Sequence, residues 1–354
     1  MAVCYFGIYN PNHTRNRNLI DGLRQNGVEV LECNTREKSA KKYFQLIKMH
    51  RAVKQKYEVM IVGFPGHPIM PLAWLLARLN RKKIIFDAFI SLYDSLVLDQ
   101  KKYSPKSWQA KKYWLIDWLS LKLADIVLME AQAYIDYLVA TFRVPAQKCR
   151  RIFVGSDDKI LYPRPKPKVG KEFLVHFHGT YLPIQGIPYI IEAAKILKDE
   201  SINFNIIGKL KDYAPEIAKV KKWKLQNVNF IDFVPYAQLA DLMAEADICL
   251  GMFGDAPKAK RCGAFKIVEA MAMKKALITA DLPATRELLT NQQNALLCKI
   301  ADAKDLADKI LELKNDPSLR NRIAENGYKT FKAKLTPKVL GVELKNIISR
   351  MDFK

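Results

Sequence analysis

The chain has 354 residues, with 58 Lys+Arg against 36 Asp+Glu and a formal balance of +22. Its length suits about two domains of roughly 100–200 residues each; 49% hydrophobic and 27% charged residues make a globular composition, and 15 Gly with 17 Pro exclude a collagen-like or low-complexity chain. The basic excess implies an anionic partner: nucleic acid, an acidic membrane surface or a phosphorylated substrate.

The start, Met1–Gly7, is apolar and lacks the basic n-region of a secretory signal. No stretch reaches the roughly 18–20 uninterrupted apolar residues of a spanning helix. From there short β-rich runs alternate with helical patterns: strand Ala2–Tyr9, helix Asn16–Asn26, strand Val28–Cys33, helix Lys41–Tyr57, strand Val59–Phe64, helix Ile69–Asn80 and strand Lys83–Asp87. Helix Tyr113–Leu123, strand Ile126–Met129, helix Gln132–Thr141 and strand Cys149–Val154 complete the first series. Such alternation predicts right-handed βαβ units around a parallel sheet. Residues 157–170 break the pattern with three prolines at alternate positions, the composition of a stiff linker.

A second series follows: strand Phe173–Phe177, helix Ile187–Lys198, strand Phe204–Ile207, strand Asn229–Ile231, helix Ala237–Ala246, strand Ile248–Met252, helix Phe265–Met273 and strand Ala276–Thr279. The tail Ala303–Met351 is mostly helical. The fold class read from this is α/β, with two Rossmann-like domains and a cleft between them as the default ligand site. Domain boundaries are 1–156, linker 157–170, second domain 171–335, and a C-terminal helix 336–354 crossing back to the first domain. Six cysteines form no CxxC pair, which argues against a zinc knuckle. Cys4 and Cys249 sit in apolar strand-like runs as core residues, and a reducing cytoplasm is expected.

The most specific stretch is Lys258–Met273, Lys-Ala-Lys-Arg-Cys-Gly-Ala-Phe-Lys-Ile-Val-Glu-Ala-Met-Ala-Met, followed by Lys274–Glu287. It reads as a basic loop, a helix and a strand. A helix starting near Phe265 offers free N–H groups and a dipole to a phosphate, beside Lys258, Lys260 and Arg261. Glu269, one turn inside, has the acceptors to bind a vicinal diol such as a ribose.

Glu269-Ala-Met-Ala-Met-Lys-Lys-Ala-Leu-Ile278 resembles the nucleotide-sugar signature of the GT-B glycosyltransferases, specifically glycosyltransferase family 4, in which seven residues separate one Glu from a second. The resemblance implies that Glu269 binds the donor ribose. The family's first Glu falls on Arg261, which removes a sugar contact and adds a phosphate ligand. His178-Gly-Thr-Tyr-Leu-Pro-Ile-Gln-Gly186 resembles the family turn that opens the second domain. Gly179 and Gly186 match, but the family's pyrophosphate-binding Arg and Lys fall on Thr180 and Gln185, neither of which carries charge. The cationic role then moves to Lys260, Arg261 and Lys266, with Gly263 and Phe265 in the same donor loop. Asn229–Pro235, with Glu245–Leu250, resembles the family's base-side loop and the strand after it.

In the first domain, His13 and Arg15 (with Arg17) near a helix start, and Asp94, are acceptor-side candidates. Asp87, at a strand's carboxyl end, is a candidate base, and Lys260 and Arg261 join it as catalytic candidates through the departing diphosphate. His67 is a further cleft candidate, while His176 in an apolar strand reads as core. There is no DxD, no dense His/carboxylate cluster and no P-loop, so no metal site is expected.

Residues 36–57 hold eight basic residues and one acid, and 101–112 hold five lysines and no acid beside Trp108, Trp114 and Trp118. Cationic helices bordered by aromatics suit an anionic membrane surface; no nucleic-acid-binding signature accompanies them. The expected function is transfer of a sugar from a UDP- or GDP-linked donor to a glycan or lipid-linked acceptor, with retention and without metal or other cofactor. The expected location is the inner face of the cell membrane, as a peripheral cytoplasmic protein. The Arg261, Thr180 and Gln185 departures keep open a nucleotide-sugar epimerase or a non-catalytic transferase-like binding protein.

Overall fold

The apolar runs become strands because they are covered on both faces, and both sheets are wholly parallel. The computed structural model describes residues 1–165 and 172–351, so residues 166–170 of the expected linker lie outside the described residues. The chain divides into two compact units, Met1–Gly155 with Thr336–Lys354, and Ser156–Leu335.

The first unit runs β1 (Ala2–Gly7), α1 (Thr14–Gln25), β2 (Glu29–Asn34), α2 (Lys41–Val53), β3 (Val59–Val62), α3 (Met70–Leu79), β4 (Lys83–Asp87), α4 (Trp108–Leu123), β5 (Ile126–Met129), α5 (Gln132–Phe142) and β6 (Cys149–Arg151). Its sheet order is β2-β1-β3-β4-β5-β6. Helix α4 starts five residues before the expected Tyr113, because the Ser107 hydroxyl caps it by accepting from the Ala110 N–H.

The second unit runs β7 (Phe173–His178), α6 (Ile187–Ile196), β8 (Ile202–Ile207), α7 (Ala214–Lys222), β9 (Val228–Ile231), α8 (Tyr236–Glu245), β10 (Ile248–Leu250), α9 (Phe265–Ala272), β11 (Ala276–Ala280), α10 (Pro283–Arg286), β12 (Leu296–Cys298), α11 (Ala303–Asn315) and α12 (Pro317–Lys334). Its order is β12-β11-β10-β7-β8-β9, the doubly wound Rossmann order, which reverses direction between β7 and β10. Register pairs Val175 with Ile248 across that point. In the first unit the reversal lies between β1 and β3, where Val3 pairs with Val59.

The helical tail resolves into three helices, the last of which, α13 (Pro337–Ser349), belongs to the first unit. It packs on α1, placing Leu340, Leu344 and Ile348 in that unit's core. The two backbones approach so closely that a Cβ on Gly341 would lie 2.1 Å from the Gly22 carbonyl, so only glycine fits at this crossing. All six cysteines are buried free thiols, Cys4 and Cys249 among them.

Candidate functional site

In doubly wound sheets ligands bind beyond the carboxyl ends of the strands at the reversal point. In the second unit that point carries the loop after β7, residues 179–186, and α9 after β10. The loop is shaped by its backbone. Gly186 adopts φ +66°, and a Cβ there would meet the Gly254 nitrogen at 2.4 Å. Phe253 and Gly254 donate their N–H groups to the Gln185 and Ile184 carbonyls, both at 3.2 Å. Tyr213 holds the other end, donating its hydroxyl to the Gly179 carbonyl at 2.8 Å.

This scaffold brings together four of the donor-side residues expected from sequence: Gly179, Gln185, Lys266 and Glu269. The Lys266 ammonium, on the first turn of α9, donates to Gln185 Oε1 and lies 3.9 Å above the Phe177 ring. A Cβ on Gly179 would stand 2.7 Å from the Lys266 Nζ, so the glycine leaves the amine its space. Lys266 is only 6% exposed. Burial pushes its pKa down to about 7 despite the opposing charge of Glu269. The cation absent from position 185 is therefore supplied to Gln185 from another element.

Glu269 lies one turn further on and is 4% exposed. Its Oε2 accepts from His178 Nε2 at 2.7 Å and its Oε1 accepts from the Tyr236 hydroxyl at 2.8 Å. Behind His178, its Nδ1 meets His176 Nε2 at 3.0 Å. Burial works to raise the Glu269 pKa. The hydrogen bonds from His178 and Tyr236 and the nearby positive charge outweigh it and hold the carboxyl below its ordinary range. His176 is a buried strand residue, as expected, with its pKa driven well down by burial and by His178, Lys266 and Lys275.

The other donor-loop residues are less enclosed. Arg261, Gly263 and Phe265 are half-buried, while Thr180 and Lys260 are exposed. Lys258, not Lys260, is the buried lysine of the turn Pro257–Lys260. His178 and Tyr236 were missed as site residues. His178 stands inside the recognised turn, and its spacing of two from His176 puts both on one strand face; nothing local marks Tyr236.

The first unit corrects three expectations, those for Asp87, Arg15 and Asp94. Asp87 is fully buried, and Arg15 is 1% exposed. Arg15 Nε and Nη2 grip Asp87 at 2.8–3.1 Å, and Nη1 donates to the Ile152 and Phe153 carbonyls at 2.7 and 3.0 Å. Asp87 is thus an internal anchor and not an available base, because a base must reach a substrate proton. Arg15 is likewise spent within the fold and does not face an acceptor. Burial disfavours its charge, but Asp87, aided by Glu130, holds its pKa above the ordinary value.

Asp94 is also fully buried, and Tyr134 donates to its Oδ2 at 2.9 Å. It opens the π-helical turn Asp94–Asp99, directly after residues stapled by Asp117, which accepts from Ser91 Oγ at 2.7 Å and from the Leu92 and Tyr93 N–H groups at 3.0 and 2.8 Å. That explains Asp94 as framework instead of an acceptor contact. His67, buried at the turn His67–Ile69 that precedes α3, bonds across to this segment at the Ile90 carbonyl, 3.0 Å away. His13 remains the half-buried member, its ring 5.2 Å from Phe64 and 6.0 Å from Phe89. Burial lowers its pKa, with Asp87 opposing and Arg15 assisting.

On the first unit's surface, α4 exposes Trp108, Leu115 and Leu119 among Lys111, Lys112 and Lys122, and α2 exposes Phe44 and Tyr43 beside Lys41 and Lys42. Trp114 and Trp118 are half-buried and stack at 6.4 Å. Among the described residues no helix is long and apolar enough to cross a membrane.

Two Rossmann-like units, each built on a parallel six-stranded sheet, make the GT-B architecture of glycosyltransferases. Residues 158–330, which lie within the second unit, match the family described as Glycosyl transferases group 1. An uncharacterized glycosyltransferase of Methanocaldococcus jannaschii is 28% identical over 185 residues, 52% of this chain and 49% of that protein. The N,N'-diacetylbacillosaminyl-diphospho-undecaprenol alpha-1,3-N-acetylgalactosaminyltransferase of Campylobacter jejuni is 27% identical over 175 residues, 49% of this chain and 44% of that one. The chain spans about half the length of these curated relatives. Anabaena HepE, solved in complex with UDP, superposes with a TM-score of 0.74 over 99% of this chain and 100% of its own, at 16% identity, and so shares the fold.

Proposed function

We propose that the protein transfers a sugar from a nucleoside-diphosphate donor, UDP- or GDP-linked, to a hydroxyl of a glycan or lipid-linked acceptor. The observation that carries this reading is the buried Lys266, held over Phe177 with, among the described residues, a single hydrogen-bond acceptor, Gln185, at the start of α9. Two of the three N–H donors of its charged form have no acceptor among the described residues, an arrangement that a diphosphate would complete. Half-buried Arg261 and exposed Lys260 border the same loop and offer further charge to the departing diphosphate. Gly179, Thr180, Gly263 and Phe265 line it, and Glu269 receives the ribose diol.

HepE, with UDP, supports the donor class, and the Campylobacter enzyme, named for a diphospho-undecaprenol acceptor, supports the lipid-linked one. Retention and independence of metal rest on the family 4 resemblance alone. His13 is the acceptor-side residue that we retain. Glu269→Ala is expected to weaken binding of UDP or GDP by about tenfold to a hundredfold, from loss of charged hydrogen bonds to the ribose. Titration calorimetry across both nucleotides and their sugars reads this, and undiminished binding and turnover would sink the assignment.

The exposed aromatic and apolar residues of α2 and α4, set among lysines, support peripheral docking on an anionic membrane at the cytoplasmic face. Each lysine near such a surface contributes about 1 kcal/mol. Flotation with vesicles containing phosphatidylserine is expected to carry the protein at low salt and release it at high salt. Equal flotation with neutral vesicles contradicts the docking.

A further inference from the structure

His176, His178, Glu269 and Tyr236 form one continuous hydrogen-bonded chain through the second unit, drawn from β7, α9 and α8. Its direction follows from the chemistry of the members. An ionised carboxylate only accepts, so both partners of Glu269 donate to it. His176 Nδ1 has no hydrogen-bond partner among the described residues, so the ring proton of neutral His176 belongs on Nε2, which donates to His178 Nδ1. The chain ends at His176 Nδ1, which is buried without a hydrogen-bond partner; a neutral ring leaves a lone pair there and not a stranded proton.

Each Glu269 oxygen spends one acceptor site on the protein and keeps one. Those two sites are the number that a vicinal diol requires. The carboxylate cannot turn without breaking a bond of 2.7 or 2.8 Å. Lys266, one turn away, is held at Gln185 and so does not pull it aside.

We propose that His178 is a specificity-determining positioning residue: backed by His176 and opposed by Tyr236, it fixes Glu269 as a rigid acceptor pair that distinguishes ribonucleotides from 2′-deoxyribonucleotides. This rests on the nucleotide-donor reading above and goes beyond it by giving the ribose selectivity to residues outside the carboxylate.

The test measures binding of UDP, GDP and their 2′-deoxy forms by calorimetry to the wild-type chain and to His178→Phe and His178→Gln. The wild type is expected to prefer the ribo form by about tenfold or more, the value of one hydrogen bond to a charged group. His178→Phe brings the ratio to within about twofold while still melting cooperatively. His178→Gln, whose amide can still donate to the carboxylate, restores most of it. A purely structural role for His178 moves stability and leaves the ratio alone. Long-range proton–nitrogen spectra of the labelled wild-type protein should show both histidines as Nε2–H tautomers. Retention of the full ratio in His178→Phe, or an Nδ1–H tautomer at His178, overturns the proposal. Absence of binding by every nucleotide overturns the donor reading and this one together, whereas loss of the ribo preference alone in His178→Phe supports both.

Discussion

Asp87→Ala is expected to destabilise the first unit by about 3–5 kcal/mol, the cost of removing one partner of a buried ion pair. Arg15 and Asp87 are both essentially without solvent contact, and Arg15 reaches from the first turn of α1 across to the end of β4 and the chain beyond β6. Deleting the carboxylate leaves a guanidinium buried with only the Ile152 and Phe153 carbonyls as acceptors. Asp87→Asn keeps the shape and some hydrogen bonding but removes the charge, so it should fall between wild type and alanine. The double variant Arg15→Met, Asp87→Leu should regain much of the loss, because no orphaned charge remains. Urea unfolding followed by far-ultraviolet circular dichroism measures all three. Wild-type stability in Asp87→Ala, coupled to loss of transfer, would instead return Asp87 to the role of base.

Lys266→Met is expected to weaken nucleoside-diphosphate binding by about a hundredfold, since it removes the buried cation at the proposed diphosphate position but keeps most of the side-chain length. The pH dependence carries its own sign. The Lys266 pKa is about 7 in the folded protein against an ordinary value of 10.5. The unfolded chain therefore binds more protons between these limits, and stability rises with pH through this window. The cost of charging the buried amine is fully present below pH 7 and is relieved toward 10.5.

Binding runs the opposite way. The diphosphate favours the charged amine, so binding above pH 7 takes up a proton, and affinity falls by up to tenfold per pH unit until the bound-state pKa is reached. Calorimetry at pH 8 in buffers of different ionisation enthalpy should show that uptake in the wild type and none from this site in Lys266→Met. Equal buffer dependence in both proteins would remove Lys266 from the diphosphate position.

Sequence patterning captured the strand–helix alternation because each β run is short and apolar and each helix has its own periodicity. It missed α7, the four-residue α10 and β12. Only two of nine α7 side chains, Ile217 and Val220, are large and apolar, and β12 is a three-residue strand, too short to show a period. At the site, motif spacing singled out Gly179, Gln185, Lys266 and Glu269, since a loop that approaches a phosphate and a helix that begins beside it leave local marks. Asp87, Arg15 and Asp94 misled for a definite reason. A charged residue at the end of a strand or helix reads the same whether it faces a ligand or a partner 72 residues away, as Asp87 and Arg15 do.

The sequence by itself determined the α/β class, the matched donor motif and the basic excess, all of which are local or additive properties. Tertiary structure decided where the charges were spent. It moved the missing cation to Gln185 by way of Lys266, buried Arg15 against Asp87, and joined His178 and Tyr236 to Glu269. The opening balance of +22 counts each of those charges alike. Only packing separates a lysine in solvent from one whose burial brings it to the edge of neutrality, because desolvation depends on what surrounds the group and not on its neighbours in the chain.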